Sequence, residues 1–163
     1  MADDANDGRD ETDLERLDRN LTELLGELRV ALPGVQVLFA FLLAVPFNQG
    51  FSKATDFEKK VYLVTLLLTA VATALLIAPS AYHRLEFRQG DKKHIVFVAN
   101  RFAIAGFAFL AAAMSSAVLL VTEYLFGSTT AVICTVGVAI VLYGFWYGAP
   151  LARRAKVTRD AGG

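Results

Sequence analysis

Few side chains in this sequence are placed to do chemistry, and those few sit in or beside long apolar runs. Arg101 is the most costly. An ionised group at the centre of a bilayer costs about 2.5–3.5 kcal/mol on insertion scales, and less near the ends. Arg101 stands about six residues, roughly 9 Å, inside the apolar stretch that begins near residue 95. Three readings compete. Its stem can carry the guanidinium back to the headgroups. It can face a cavity or a neighbouring helix, with Asn100 beside it, and bind an anion or a backbone carbonyl. Or it can pair with Glu86 or another acid.

Thr65, Thr69 and Thr73 recur every four residues and so share one helix face. Their hydroxyls can bond their own i−4 carbonyls or bridge helices, for about 0.6 kcal/mol each. They can equally line a hydrated path, which Gln36 and Asn48 would join. A third pattern is steric. Ala108, Ala112 and Ser116 repeat at i,i+4, and Gly144 and Gly148 form a GxxxG pair one heptad after Gly137. Small residues at that spacing let backbones approach closely, within one chain or between copies.

Other chemistry finds no foothold. Cys134 is the single cysteine, so no internal disulfide forms, and in an apolar run it reads as a small hydrophobe. His83 and His94 flank a basic loop and fit no zinc pattern with one cysteine. No metal or other cofactor is expected. There is no P-loop and no glycine-rich phosphate fingerprint. Ser115-Ser116 has no histidine beside it, so no enzyme is expected. Nucleic acid is not an expected partner; a lipid bilayer is.

The elements that must position these groups follow from composition. Of 163 residues, 55% are hydrophobic, and the mean hydropathy is +0.47. Soluble domains lie nearer 45–50% apolar. Residues 1–30 hold ten acids and four arginines, and the remainder is mostly apolar runs. Residues 1–12 read as a disordered acidic tail and 13–30 as an amphipathic cytoplasmic helix. Residues 31–150 read as a four-span domain and 151–163 as a basic cytoplasmic tail. The spans are expected near 31–50, 60–80, 95–122 and 129–149, each meeting the roughly 20 residues that cross a 30 Å hydrocarbon core. Pro33-Gly34 is the expected kink into the first span, and Pro79 the expected end of the second. The fold expected is all-α, an integral membrane four-helix bundle with an N-terminal amphipathic helix.

Orientation follows from the basic residues. Twelve lysines and arginines lie in the N-terminal segment, the loop between spans two and three, and the tail, against three in the loop between spans one and two. That places both termini on the cytoplasmic side, in the plasma membrane. All five tyrosines and Trp146 lie near span ends, where amphipathic rings settle.

Leu14, Leu17, Leu21, Leu24 and Leu28 are spaced 3-4-3-4, a coiled-coil rhythm. Thr12 or Asp13 is positioned to cap that helix. The leucine stripe has three possible burials: the membrane interface, self-association, or its own protein's cytoplasmic side. The polar face is acidic and anionic lipid repels it, so a subunit contact, within or between protomers, is favoured.

The runs ELRVALPGVQVLFAFLLAVPF (27–47), APSAYHRLEFR (78–88) and ANRFAIAG (99–106) resemble a domain-of-unknown-function family of small four-helix actinobacterial membrane proteins. The resemblance covers roughly residues 20–150. It implies the four-span architecture and no established activity, although some members carry an automatic sodium:proton antiporter label. The carboxylate that such exchange needs in mid-membrane is missing here: between residues 95 and 150 the only acid is Glu123, at a span end. The first function expected is an oligomeric channel or transporter for a small ion. The second is a membrane scaffold or regulatory subunit that binds a cytoplasmic partner through the N-terminal helix.

Overall fold

A computed structural model of the chain describes residues 12–86 and 92–161. Residues 1–11 of the acidic tail and 87–91 of the basic loop lie outside the described residues, as do the side chains of Leu14, His83 and Glu86.

Two of the long helices open on one device, a threonine followed three residues later by a glutamate. Thr12 caps α1 (Asp13–Ala44): its N–H donates to Glu15 Oε2 at 2.8 Å, and the Glu15 N–H donates back to Thr12 Oγ1 at 3.4 Å. Thr55 and Glu58 repeat the exchange at the start of α2 (Asp56–Glu86), at 2.6 and 3.2 Å. Between them, Pro46 opens the 3-10 turn Val45–Phe47, and a second turn, Gln49–Lys53, leads on. Gly127 alone joins α3 (Lys92–Phe126) to α4 (Ser128–Tyr143). Its φ of +82° is a conformation that side-chain-bearing residues rarely adopt. A π-type turn, Gly144–Gly148, carries α4 into α5 (Ala149–Ala161).

Two expected boundaries are absent. α1 runs through Pro33-Gly34 without interruption, so the residues read as a separate cytoplasmic helix and first span are one element of 32 residues. α2 continues past Pro79 to Glu86. The basic tail is helical to Ala161. Proline removes one donor and crowds the carbonyl four residues back, a local cost that packing on both sides can offset. Pro79 has that packing, being fully buried. Among the described residues, four stretches are long and apolar enough to cross a membrane: Glu15–Phe47, Asp56–Tyr82, Lys93–Phe126 and Ser128–Thr158.

The packing explains why α1 stays whole. Its buried residues among those described are Leu21, Leu28, Val35 and Leu42, each seven from the last. The leucine rhythm therefore does not stop at Leu28; one seam runs the length of the helix. α2 answers with Glu58, Tyr62, Thr65, Thr69, Ala72, Leu76 and Pro79, alternately four and three apart. α3 contributes small residues, among them Ala99, Ala103, Ala111 and Ala113. A central cluster joins Leu28 and Val35 of α1, Ala72 and Leu76 of α2, and Ala103 and Leu110 of α3. A second joins Leu21 to Ile95 and Ala99, with Leu24, Leu25, Tyr82 and Val96 packed around them. α4 stands apart from this three-helix core and packs chiefly on α3; its one buried residue is Ala131.

Candidate functional site

The threonine stripe lies in the interface between α2 and α3. Thr65 and Thr69 are fully buried and Thr73 is half-buried. Each hydroxyl donates to the carbonyl four residues back, at 2.8 Å: Val61, Thr65 and Thr69 respectively. Thr65 Oγ1 also lies 2.7 Å from Ser116 Oγ on α3. A helix pays little to hold a hydroxyl whose hydrogen bond is local, so these groups are satisfied without water.

The other polar candidates are scattered. Gln36 is exposed on α1. Asn48 is exposed in the loop, where its Oδ1 accepts the Gly50 N–H at 3.0 Å and shapes the second 3-10 turn. Asn100 and Arg101 are exposed on α3. The Arg101 guanidinium stands over the Phe97 ring, 5.6 Å from its centroid, a cation–π contact within one helix turn. The structure does not bring Gln36, Asn48, Asn100 and Arg101 together with the threonines in one path.

The packing candidates divide. Leu21 and Leu28 are buried, and Leu17 and Leu24 half-buried, with the stripe docked on the chain's own α2 and α3. Of the α3 stripe, Ser116 meets Thr65, the Ala108 carbonyl accepts the Tyr143 hydroxyl at 3.0 Å, and Ala112 is half-buried. Gly144 and Gly148 are exposed. A Cβ at Gly144 would meet nothing within 4 Å, and one at Gly148 would meet only the Tyr143 carbonyl of its own helix. The GxxxG pair therefore brings no second helix close within the chain.

The glycine at a close approach is one that spacing did not single out. A Cβ on Gly106 would lie 2.7 Å from Leu76 Cδ2 and 2.8 Å from its Cγ, so α2 and α3 meet there only because the side chain is missing. Two tyrosines expected near span ends also bond across helices. Tyr143 and Tyr147 donate to the α3 carbonyls of Ala108 and Ile104, at 3.0 and 2.6 Å. Trp146 meets Phe107 edge to face at 5.6 Å. Finally, Glu58 is a buried carboxylate at the end opposite the termini. Its Thr-x-x-Glu spacing was visible in the sequence; its burial was not.

Comparison with known proteins adds the family. Searches of curated proteins and of solved structures each found no match. A family of unknown function, DUF6328, matches residues 10–150, which takes in all of α1, α2, α3 and α4. The match includes the leucine stripe together with the spans, consistent with their forming one packed unit. The chain belongs to this family of unknown function, DUF6328.

Proposed function

We propose that this protein is a multi-pass scaffold or regulatory subunit of the plasma membrane, with both termini cytoplasmic, that presents the first turns of α1 to a cytoplasmic partner. One observation carries the reading: the threonine hydroxyls, the most path-like polar feature of the spans, are buried between α2 and α3 and bonded within the protein. A conduction path through a single copy has no polar lining there. α1, by contrast, is about 48 Å long at 1.5 Å per residue, well beyond a 30 Å core. Its leucine side is covered, and it displays Glu23 and Glu27 outward. A partner of basic surface fits that face. The sodium:proton label gains no support, because among the described residues the acids of α2 and α3 lie near helix ends.

The test pairs two measurements. Flux of cations, anions and protons in proteoliposomes should match empty vesicles. A photo-crosslinker at position 23 or 27 should capture one discrete, basic partner in cells, and charge reversal of Glu23 and Glu27 should abolish the adduct. Ion flux that falls on Thr65→Val and Thr69→Val would overturn the reading.

A second reading, an ion-conducting homo-oligomer, rests on Gln36. It is exposed on the α1 span, where an amide seeks a hydrogen-bond partner on another helix. A path between copies would then be lined from α1. Gln36→Leu should dissociate such an oligomer, read by size in detergent.

A further inference from the structure

At the end of the molecule opposite the termini, a groove of about 440 Å³ opens between α1 and α3. We infer that it binds a lipophilic ammonium compound, one cationic head on an apolar body. The volume lies in the range of small-molecule sites. One part of the lining is polar: Glu58 at the start of α2, Asn48 and Gly50 in the loop, and Tyr124 of α3. A Cβ at Gly50 would meet Tyr124 Oη at 3.4 Å, so the phenol reaches over a residue with no side chain. The remaining walls are apolar, with Phe41 from α1 and Leu120 and Val121 from α3.

Charge and aromaticity select the ligand. Glu58 is only 7% exposed. One oxygen, Oε2, accepts the Thr55 N–H and hydroxyl at 2.6 and 2.9 Å. No ion pair to Glu58 occurs among the described residues; the nearby Lys59 instead reaches Asp56 at 4.0 Å. A buried carboxylate without a counter-charge favours a cation beside it. Phe51 and Tyr124 add aromatic rings, of the kind that attract an ammonium, to the lining. The walls are held in place: Phe51 packs edge to face on Tyr62 at 5.1 Å, and the Tyr62 hydroxyl donates to the Leu42 carbonyl at 3.0 Å. A metal cation is a poorer fit, because no group of three His, Cys, Asp or Glu gathers among the described residues. Phe41 and Val121 are largely exposed, so the apolar body can enter from the hydrocarbon.

The probe is benzyldimethyloctylammonium, measured by equilibrium dialysis against the full chain in maltoside micelles. Saturable binding is expected, weakened at least tenfold in Glu58→Gln, whose amide oxygen still accepts the Thr55 N–H. Ala44→Trp narrows the groove, leaves that cap untouched, and should weaken binding while the melting temperature holds. Adding phosphatidylethanolamine identifies the source. Displacement of the probe marks a lipid headgroup as occupant, and no displacement marks a free amine. Binding within twofold of native in both variants, or equal binding of a neutral analogue of the same shape, would overturn the inference.

Discussion

α1 and α2 on one side, and α4 on the other, pack on α3 in different ways. α1 and α2 meet their neighbours along continuous heptad seams, Leu21-Leu28-Val35-Leu42 on one and Glu58 through Pro79 on the other. α4 lies along α3 through buried Ala131 and half-buried Thr135, Val138 and Leu142, and its C-terminal end and the turn after it add directional contacts: the Tyr143 and Tyr147 hydroxyls on successive turns of α3, and Trp146 on Phe107. In a bilayer, lipid tails are as apolar as leucine, so burying leucine against leucine gains little there. Close fit and directional bonds decide instead. The core takes the first route, through Gly106 and a bed of alanines. α4, with one buried residue, adds the second.

The contrast breaks most visibly at Leu28, which is 2% exposed and belongs to the central cluster. Leu28→Ala should cost about 2–5 kcal/mol in reversible unfolding, the range for an emptied core site. A cost no larger than that of an exposed α4 site such as Ile140→Ala would mean that α1 is not part of the core. Next is Gly106→Val, expected to cost about 1–3 kcal/mol by overpacking against Leu76. Gly144→Val, with open space around it, should stay within about 0.5 kcal/mol of native. Equal effects of the two would erase the distinction between a close approach and an open position. Tyr143→Phe with Tyr147→Phe should cost about 1 kcal/mol, near 0.6 for each interhelical bond. That loss should appear as easier cross-linking of a cysteine on α4 to other chains, with the core's melting unchanged.

The smallest effect lies at the start of α1. Hydrogen bonds from the Thr12 backbone, and then from its side chain, hold the Glu15 carboxyl below its ordinary pKa of 4.5. A folded-state pKa below the unfolded one gives stability that is present above the unfolded value and is lost as pH falls through the folded one. Acidification below pH 4.5 should therefore fray the first turn of α1. Carboxyl NMR titration should place the midpoint of Glu15 below 4.5, and Thr12→Ala should raise it.

Much of the architecture was legible in composition. Long apolar runs and the leucine rhythm marked out helices that the structure contains. Helix continuity was not legible, for a physical reason. Within 31–44 most side chains are apolar on every face, so the seven-residue recurrence of Val35 and Leu42 has no polar contrast to stand against, while Pro33 advertises a break. Spacing likewise named Gly144 and Gly148, yet spacing alone does not say which face meets a neighbour. Gly106 sits among alanines that resemble it in sequence and gains its role only from Leu76 opposite. The threonine repeat announced a shared face correctly, and only the position of α3 decided between lining a path and filling an interface.

The unbroken α1 seam makes the chain intolerant of length changes near Pro33. One inserted residue turns everything beyond it by about 100°. Leu21 and Leu28 would keep their docking while Val35 and Leu42 swung off the core. A seven-residue insertion restores the angle to within about 20°, but it slides the two halves apart by about 10 Å along the axis. Substitutions in this stretch can be absorbed one at a time; a frame of insertion or deletion cannot.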